Sequence, residues 1–136
     1  MTVVVCVDDR GGMTFNKRRV SRDRTVYADI VADLGGKALC LSEYSLPLFS
    51  ELDVSVRVNE EPLLAGDGES VCFVENKAIL PYLGKINKIV IYRWNRHYPS
   101  DMTLDIEPLS AGFKLLETLD LAGYSHEKIT KEVYVR

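Results

Sequence analysis

The stretch "FVENKAILPYLGKINKIVIYRW", residues 73–94, carries the pattern that decides the fold. An apolar β-type run, "SVCFV", closes at Val74. Asn76 can cap a helical turn over "KAILPYLG", and "KIVIYRW" is again apolar and continuous. Two buried strands joined this way belong to a parallel sheet, because parallel neighbours need a crossover and cannot share a tight hairpin. The same alternation continues upstream. Val3–Val7 is a continuous apolar run, as expected of a strand covered on both faces. From Arg22 to Leu34 the apolar residues Val26, Tyr27, Ile30, Val31 and Leu34 recur at helical spacing. Ser21 stands before this helix as N-cap, Asp23 suits its positive end, and Gly35-Gly36 stops it. "KALCL" reads as a second buried strand, "SLPLFSEL" as a short helical turn, "VSVRV" as a third strand, and "NEEPLLAG" as one capped turn ending at Gly66.

Downstream of Tyr98 the pattern changes. "YPSDMTLDI" is extended and interrupted by polar residues. "FKLLETL" and "KITKEVYV" carry strand propensity on either side of "AGYSHE" and predict an antiparallel hairpin at the sheet edge. The spacing of "FKLLETLDL" also fits an amphipathic helix. The expected class is therefore α/β: three layers, with a mostly parallel sheet, helices on both faces and antiparallel edge strands.

A chain of 136 residues is expected to form one domain, residues 1–136, with a proper core. Its 46% hydrophobic and 27% charged residues are ordinary for a globular protein, and a net charge of −3 calls for neither nucleic acid nor a membrane. No apolar run approaches the ~18 residues of a membrane span, and "MTVVVCVDD" is too short for a secretory signal. Cys6, Cys40 and Cys72 lie inside β-type runs and read as buried small hydrophobes in a reducing compartment. The expected location is the cytoplasm.

Charge is concentrated locally. Residues 5–24 hold Arg10, Lys17, Arg18, Arg19, Arg22 and Arg24, about a third of all Lys and Arg. This loop leaves the end of the first strand, and in open α/β sheets ligands collect outside the carboxyl ends of the strands. Those ends supply Asp8-Asp9, Ser42-Glu43-Tyr44, Glu75-Asn76 and Trp94-Asn95-Arg96-His97. Two readings of the loop stay open. It is an anion-binding flap whose arginines make forked contacts, or its arginines pair with Asp8, Asp9, Glu43 and Glu75. The candidate ligand-binding residues are Asp8, Asp9, Arg18, Arg19, Arg22, Glu75, Asn76, Trp94, Arg96 and His97. In "YRWNRHYP", Tyr92 and Trp94 fall on one strand face as core and Arg93 on the other, which is favoured over base stacking on Trp94. Ser125, His126 and Glu127 are adjacent in sequence, and adjacency does not make a nucleophile–base set, so His126 reads as a hydrogen-bonding loop histidine.

The succession of elements resembles dihydrofolate reductase over nearly the whole chain. "VVVCVDDRGGM" is similar to that family's first strand and following loop, residues 73–94 to a strand–helix–strand unit, "YPSDMTLDI" to a Gly-Asp-Thr…Phe-Pro segment, and "ITKEVYVR" to the last strand. The resemblance implies NADPH chemistry, but the cofactor positions differ. A Gly-Gly pair that opens the pyrophosphate-binding helix reads Glu75-Asn76 here, where a carboxylate repels a diphosphate from the helix terminus. A Gly-Arg-x-Thr phosphate motif reads Ser42-Glu43-Tyr44-Ser45. Neither Asp23 nor Asp29 matches the register of the family's acidic residue near the first helix, and the tryptophan before it is missing.

The chain also resembles short bacterial proteins that share "VDD", "SRDR" and "GYSHEKITKEVY", some of them labelled ribonuclease Z. That label implies a zinc-dependent nuclease. Catalytic zinc takes about three protein ligands, and the chain has only His97 and His126, with no His-x-His-x-Asp-His segment. The expectation is a ligand-binding or regulatory domain on a reductase-like scaffold, with a small anionic or zwitterionic ligand, no cofactor, no metal and no membrane or nucleic-acid partner. A divergent NADPH-dependent reductase is the alternative, and an RNA-processing protein a further one.

Overall fold

The apolar run at the amino terminus becomes β1 (Thr2–Val7), the middle strand of a seven-stranded sheet, in the computed structural model, which describes residues 1–136. Its two neighbours, β6 (Val71–Phe73) and β7 (Lys88–Arg93), run parallel to it, so residues 73–94 do form the expected crossover. On the far side of β6 come β4 (Leu39–Leu41) and then β5 (Val56–Val58), also parallel. Beyond β7, β10 (Ile129–Val135) runs antiparallel, and β9 (Lys114–Leu121) pairs antiparallel with β10 at the edge. Residues 114–121 are thus a strand, because β10 offers a backbone partner that an isolated helix pattern takes no account of. The sheet order is β5-β4-β6-β1-β7-β10-β9. A small antiparallel sheet joins β2 (Gly12–Phe15), β3 (Arg18–Arg19) and β8 (Met102–Thr103).

Alternation along β1 divides the core between the two faces. Val4 faces α1 (Arg24–Asp33) and the 3-10 turn Leu46–Phe49, where Tyr27, Phe49 and Phe73 meet edge to face at 5.4 to 6.1 Å between ring centroids. Val3, Val5 and Val7 face the opposite layer. That layer is built from α2 (Pro62–Ala65), the 3-10 turn Leu80–Lys85, Met13 of β2 and the loop residue Phe113. The result is a mixed α/β fold with few helices. No helix is long and apolar enough to cross a membrane.

Two local expectations are corrected. Asp23, not Ser21, is the N-cap of α1: its carboxylate accepts the Thr25 N–H at 3.0 Å, while Ser21 turns its hydroxyl to His126. Asn76 caps no helix. A helix started at residue 77 would carry Pro81 in its interior, where the ring removes a hydrogen bond and clashes with the preceding turn. The chain instead bends and forms the 3-10 turn Leu80–Lys85, with Asp105 accepting the N–H groups of Ile79 (3.0 Å) and Leu80 (2.9 Å). Gly35 and Gly36 do end α1, at φ of +59° and +91°, a conformation that side chains disfavour.

Candidate functional site

The carboxyl ends of β1, β4, β6 and β7 gather three hydrogen-bonded clusters. The first joins Arg19 on β3 to Glu75 just after β6. Arg19 Nε and Nη2 donate to the two carboxylate oxygens of Glu75 at 2.7 and 3.1 Å. Nη2 also donates to the Tyr44 carbonyl at 3.2 Å, and the guanidinium lies 4.5 Å above the Tyr44 ring. Ser45 Oγ donates to Glu75 Oε1 at 2.7 Å. A carboxylate as buried as Glu75 requires this fork, since burial of a lone charge is prohibitive. Burial, and then the Glu75 charge, push the neighbouring Cys6 thiol well above its usual range, so it is no ready nucleophile.

The second cluster surrounds Asp8, which is fully buried. Its Oδ1 accepts the N–H groups of Arg10 (2.9 Å) and Gly12 (2.7 Å), and its Oδ2 that of Tyr98 (3.0 Å). His97 Nδ1 stands 3.7 Å from Oδ2. Burial opposes ionisation, but these N–H donors outweigh it and hold the carboxyl below its usual range. Asp8 therefore ties the loop after β1 to the segment after β7. The exposed Asp9 adds its own N–H to the Arg96 carbonyl at 2.9 Å.

The third cluster centres on His126. Its Nδ1 lies 2.9 Å from Asp23 Oδ2, its Nε2 lies 2.9 Å from Ser21 Oγ, and its ring stacks on Trp94 with centroids 4.8 Å apart. The Tyr98 hydroxyl donates to Ser21 Oγ at 3.2 Å. Asp23 also accepts the N–H groups of Thr25, Tyr124 and Ser125 at 3.0, 3.0 and 2.8 Å. Burial works against its charge, yet the Tyr124 N–H, the His126 ring and the Ser125 and Thr25 N–H groups hold it far below the carboxylate range. Trp94 is buried, as its place on the strand face predicts, and the Arg93 side chain pairs with Glu132 at 2.7 Å.

The ten sequence-derived candidates thus fall in different places. Arg19 pairs with Glu75, Trp94 carries His126, and Asp8, Asp9, Arg96 and His97 lie around one loop junction. Asn76 is half-buried at the bend after Glu75. Arg18 and Arg22 are exposed and enter none of the protein's ion pairs. Arg22 lines an open groove of about 760 Å³ between the start of α1 and the 3-10 turn Leu46–Phe49, beside Arg24, Leu48, Glu51, Tyr124 and Ser125. Arg24 lies over the Tyr124 ring at 3.8 Å. Ser21, Asp23, Ser45 and Tyr98 escaped sequence reasoning as site residues. Their partners lie 30 to 105 positions away, and no local motif links them. No three His, Cys, Asp or Glu side chains are grouped to hold a metal ion.

Among solved structures, the chain is similar to dihydrofolate reductase from Enterococcus faecalis complexed with NADP(H) and RAB-propyl. The TM-score is 0.67 at 11% identity, over 99% of this chain and 95% of that one. The chain has a dihydrofolate reductase-like fold. No family model and no curated protein matches its sequence. In this reductase-like fold the segment after β6 opens no α-helix, and Arg19 and Glu75 meet at its start.

Proposed function

We propose that residues 1–136 form a single ligand-binding or regulatory domain that takes a small anionic or zwitterionic molecule and does not carry out NADPH-dependent reduction. The observation that carries the reading is the Arg19–Glu75 pair at the end of β6. A dinucleotide pyrophosphate is held by the free N–H groups and partial positive charge of a helix N-terminus. At this place the resemblance to the reductases implies such a terminus; the chain instead offers a bend, a carboxylate, and an arginine already engaged by it. The exposed Glu43 adds a second negative charge where the resemblance implies a phosphate-binding arginine.

The ligand class follows from the groove beside α1. Arg22 and Arg24 bring two cations without carboxylate partners, Glu51 one anion, and Asp23 is already satisfied by its own donors. Such a lining suits a ligand carrying net negative or mixed charge. Three unpaired thiols fit a reducing compartment such as the cytoplasm.

Isothermal calorimetry with NADPH, folates, nucleotides and short RNA tests the reading. The expected result is no measurable heat with NADPH, and binding of a small anion that Arg22→Ala with Arg24→Ala removes while the melting temperature holds. A low-micromolar dissociation constant for NADPH would restore the reductase reading, and selective RNA binding the RNA-processing one.

A further inference from the structure

Ser21, His126 and Asp23 form a hydrogen-bonded series that the ligand reading does not use. Ser21 comes from the loop before α1, Asp23 from its N-cap, and His126 from the connection between β9 and β10. Oγ of Ser21 is 2.9 Å from His126 Nε2, and His126 Nδ1 is 2.9 Å from Asp23 Oδ2. An ionised carboxylate only accepts, so Nδ1 carries the ring proton and Nε2 is left to accept from the Ser21 hydroxyl. Nucleophile, base and orienting carboxylate stand in the order by which acyl-transferring serines are recognised on unrelated folds, whatever their order in the chain. We infer that Ser21 is the nucleophile of an esterase site for small carboxylic esters, with His126 as general base and Asp23 as the positioning residue.

The surroundings supply what such a site needs. Asp23 takes backbone N–H groups from both sides, so it is fixed as well as charged. Stacking on Trp94, with the ring planes 25° apart, keeps the imidazole from turning away from Ser21. The Tyr98 hydroxyl donates to Ser21 Oγ at 3.2 Å and stands 3.3 Å from His126 Nε2. Once Oγ bonds to carbon, that O–H is free to donate to the oxygen on which negative charge develops. Ser21 is half-buried while His126 and Asp23 are buried, so the nucleophile sits at the solvent boundary and its base behind it. The groove of about 760 Å³ runs beside the cluster, lined by Arg22 and Ser125, the chain neighbours of Ser21 and His126, and by Asp23, with Leu48, Leu52 and Tyr124 adding apolar surface.

The reaction balances with water as the only co-reactant. Ser21 Oγ bonds to the carbonyl carbon and passes its proton to His126 Nε2. The C–O bond to the leaving group breaks, and that oxygen takes the proton as alcohol. Water then attacks the acyl-serine, its proton returning through His126 to Ser21, and the carboxylic acid departs.

The full chain is incubated with a fluorophosphonate probe, digested, and mapped by mass spectrometry. Attack displaces fluoride and leaves one phosphonyl group, which is expected on Ser21. Ser21→Ala is expected to abolish the adduct and slow p-nitrophenyl acetate hydrolysis by roughly 100-fold or more, with an unchanged melting temperature. His126→Gln is expected to slow labelling by a similar factor. If either variant fails to fold, the adduct map of the unaltered protein still decides. An unlabelled Ser21, an adduct elsewhere, or hydrolysis as fast in Ser21→Ala overturns the inference and leaves the series as a tether between α1 and the β9–β10 connection.

Discussion

Arg19 and Glu75, 56 positions apart, meet through two parallel N–H···O contacts of 2.7 and 3.1 Å at the carboxyl end of the central sheet. The stretch expected as one long basic loop carries Arg18 and Arg19 on β3 and Arg24 at the start of α1, and of its arginines Arg19 alone takes a carboxylate partner. Arg19→Ala leaves Glu75 buried without its cation, with only the Ser45 hydroxyl still donating to it, and should destabilise the fold by about 3 kcal/mol. That is the low end for a buried pair, because Arg19 keeps 20% of its side chain in solvent. Arg18→Ala should change stability by less than about 0.5 kcal/mol. Urea denaturation separates them, and equal midpoints would refute a special role for Arg19.

Asp23 predicts an acid limb in stability. Its folded carboxyl is held far below the usual 3.8, so its contribution is intact above the unfolded value and is lost as pH falls from about 5 toward the folded value. Asp8, shifted the same way, adds to that limb. Asp23→Asn should therefore be less stable at neutral pH and show a shallower acid decline. Melting temperatures from pH 7 to pH 2 measure both, and parallel curves would remove Asp23 as the cause.

Gly123 sits where no side chain fits. A Cβ there would come within 2.5 Å of the His126 carbonyl and 2.8 Å of Asp23 Oδ2. Gly123→Ala should move the His126 segment and loosen its stack on Trp94. Trp94 is the protein's sole tryptophan, so its fluorescence should shift to longer wavelength in this variant. An unchanged spectrum with an unchanged melting temperature would contradict the close approach.

Position in the sheet predicts very different tolerance of substitution. Ile91 lies in β7 with no exposed surface, and Ile91→Ala should cost about 2–5 kcal/mol. Leu116 is 65% exposed on the edge strand β9, and Leu116→Lys should fall within about 0.5 kcal/mol of the unaltered protein. Chemical denaturation of the two variants checks the placement, and a large loss for Leu116→Lys would mean that β9 is covered by something.

The sequence by itself determined the buried parallel strands of the sheet. Continuous apolar runs at Val3–Val7, "KALCL", "SVCFV" and "KIVIYRW" have no water-facing side, so they must be covered on both faces as parallel strands are, and the connections between them are long enough for the crossovers that parallel pairing needs. Gly35-Gly36 marked the end of α1 because positive φ is a local property of the backbone. The helix expected at Asn76 failed on a local feature that was also legible, Pro81. What only the tertiary structure decided is which polar groups meet. Ser21 serves His126 instead of capping α1, Asp23 takes the cap, and Glu75 finds Arg19 and Ser45. A hydroxyl or carboxylate forms whichever hydrogen bond the packed chain brings within 3 Å. Tertiary packing of two loops, not neighbouring residues, sets that distance: the loop before α1 and the β9–β10 connection bring Ser21 beside His126 across 105 positions of chain.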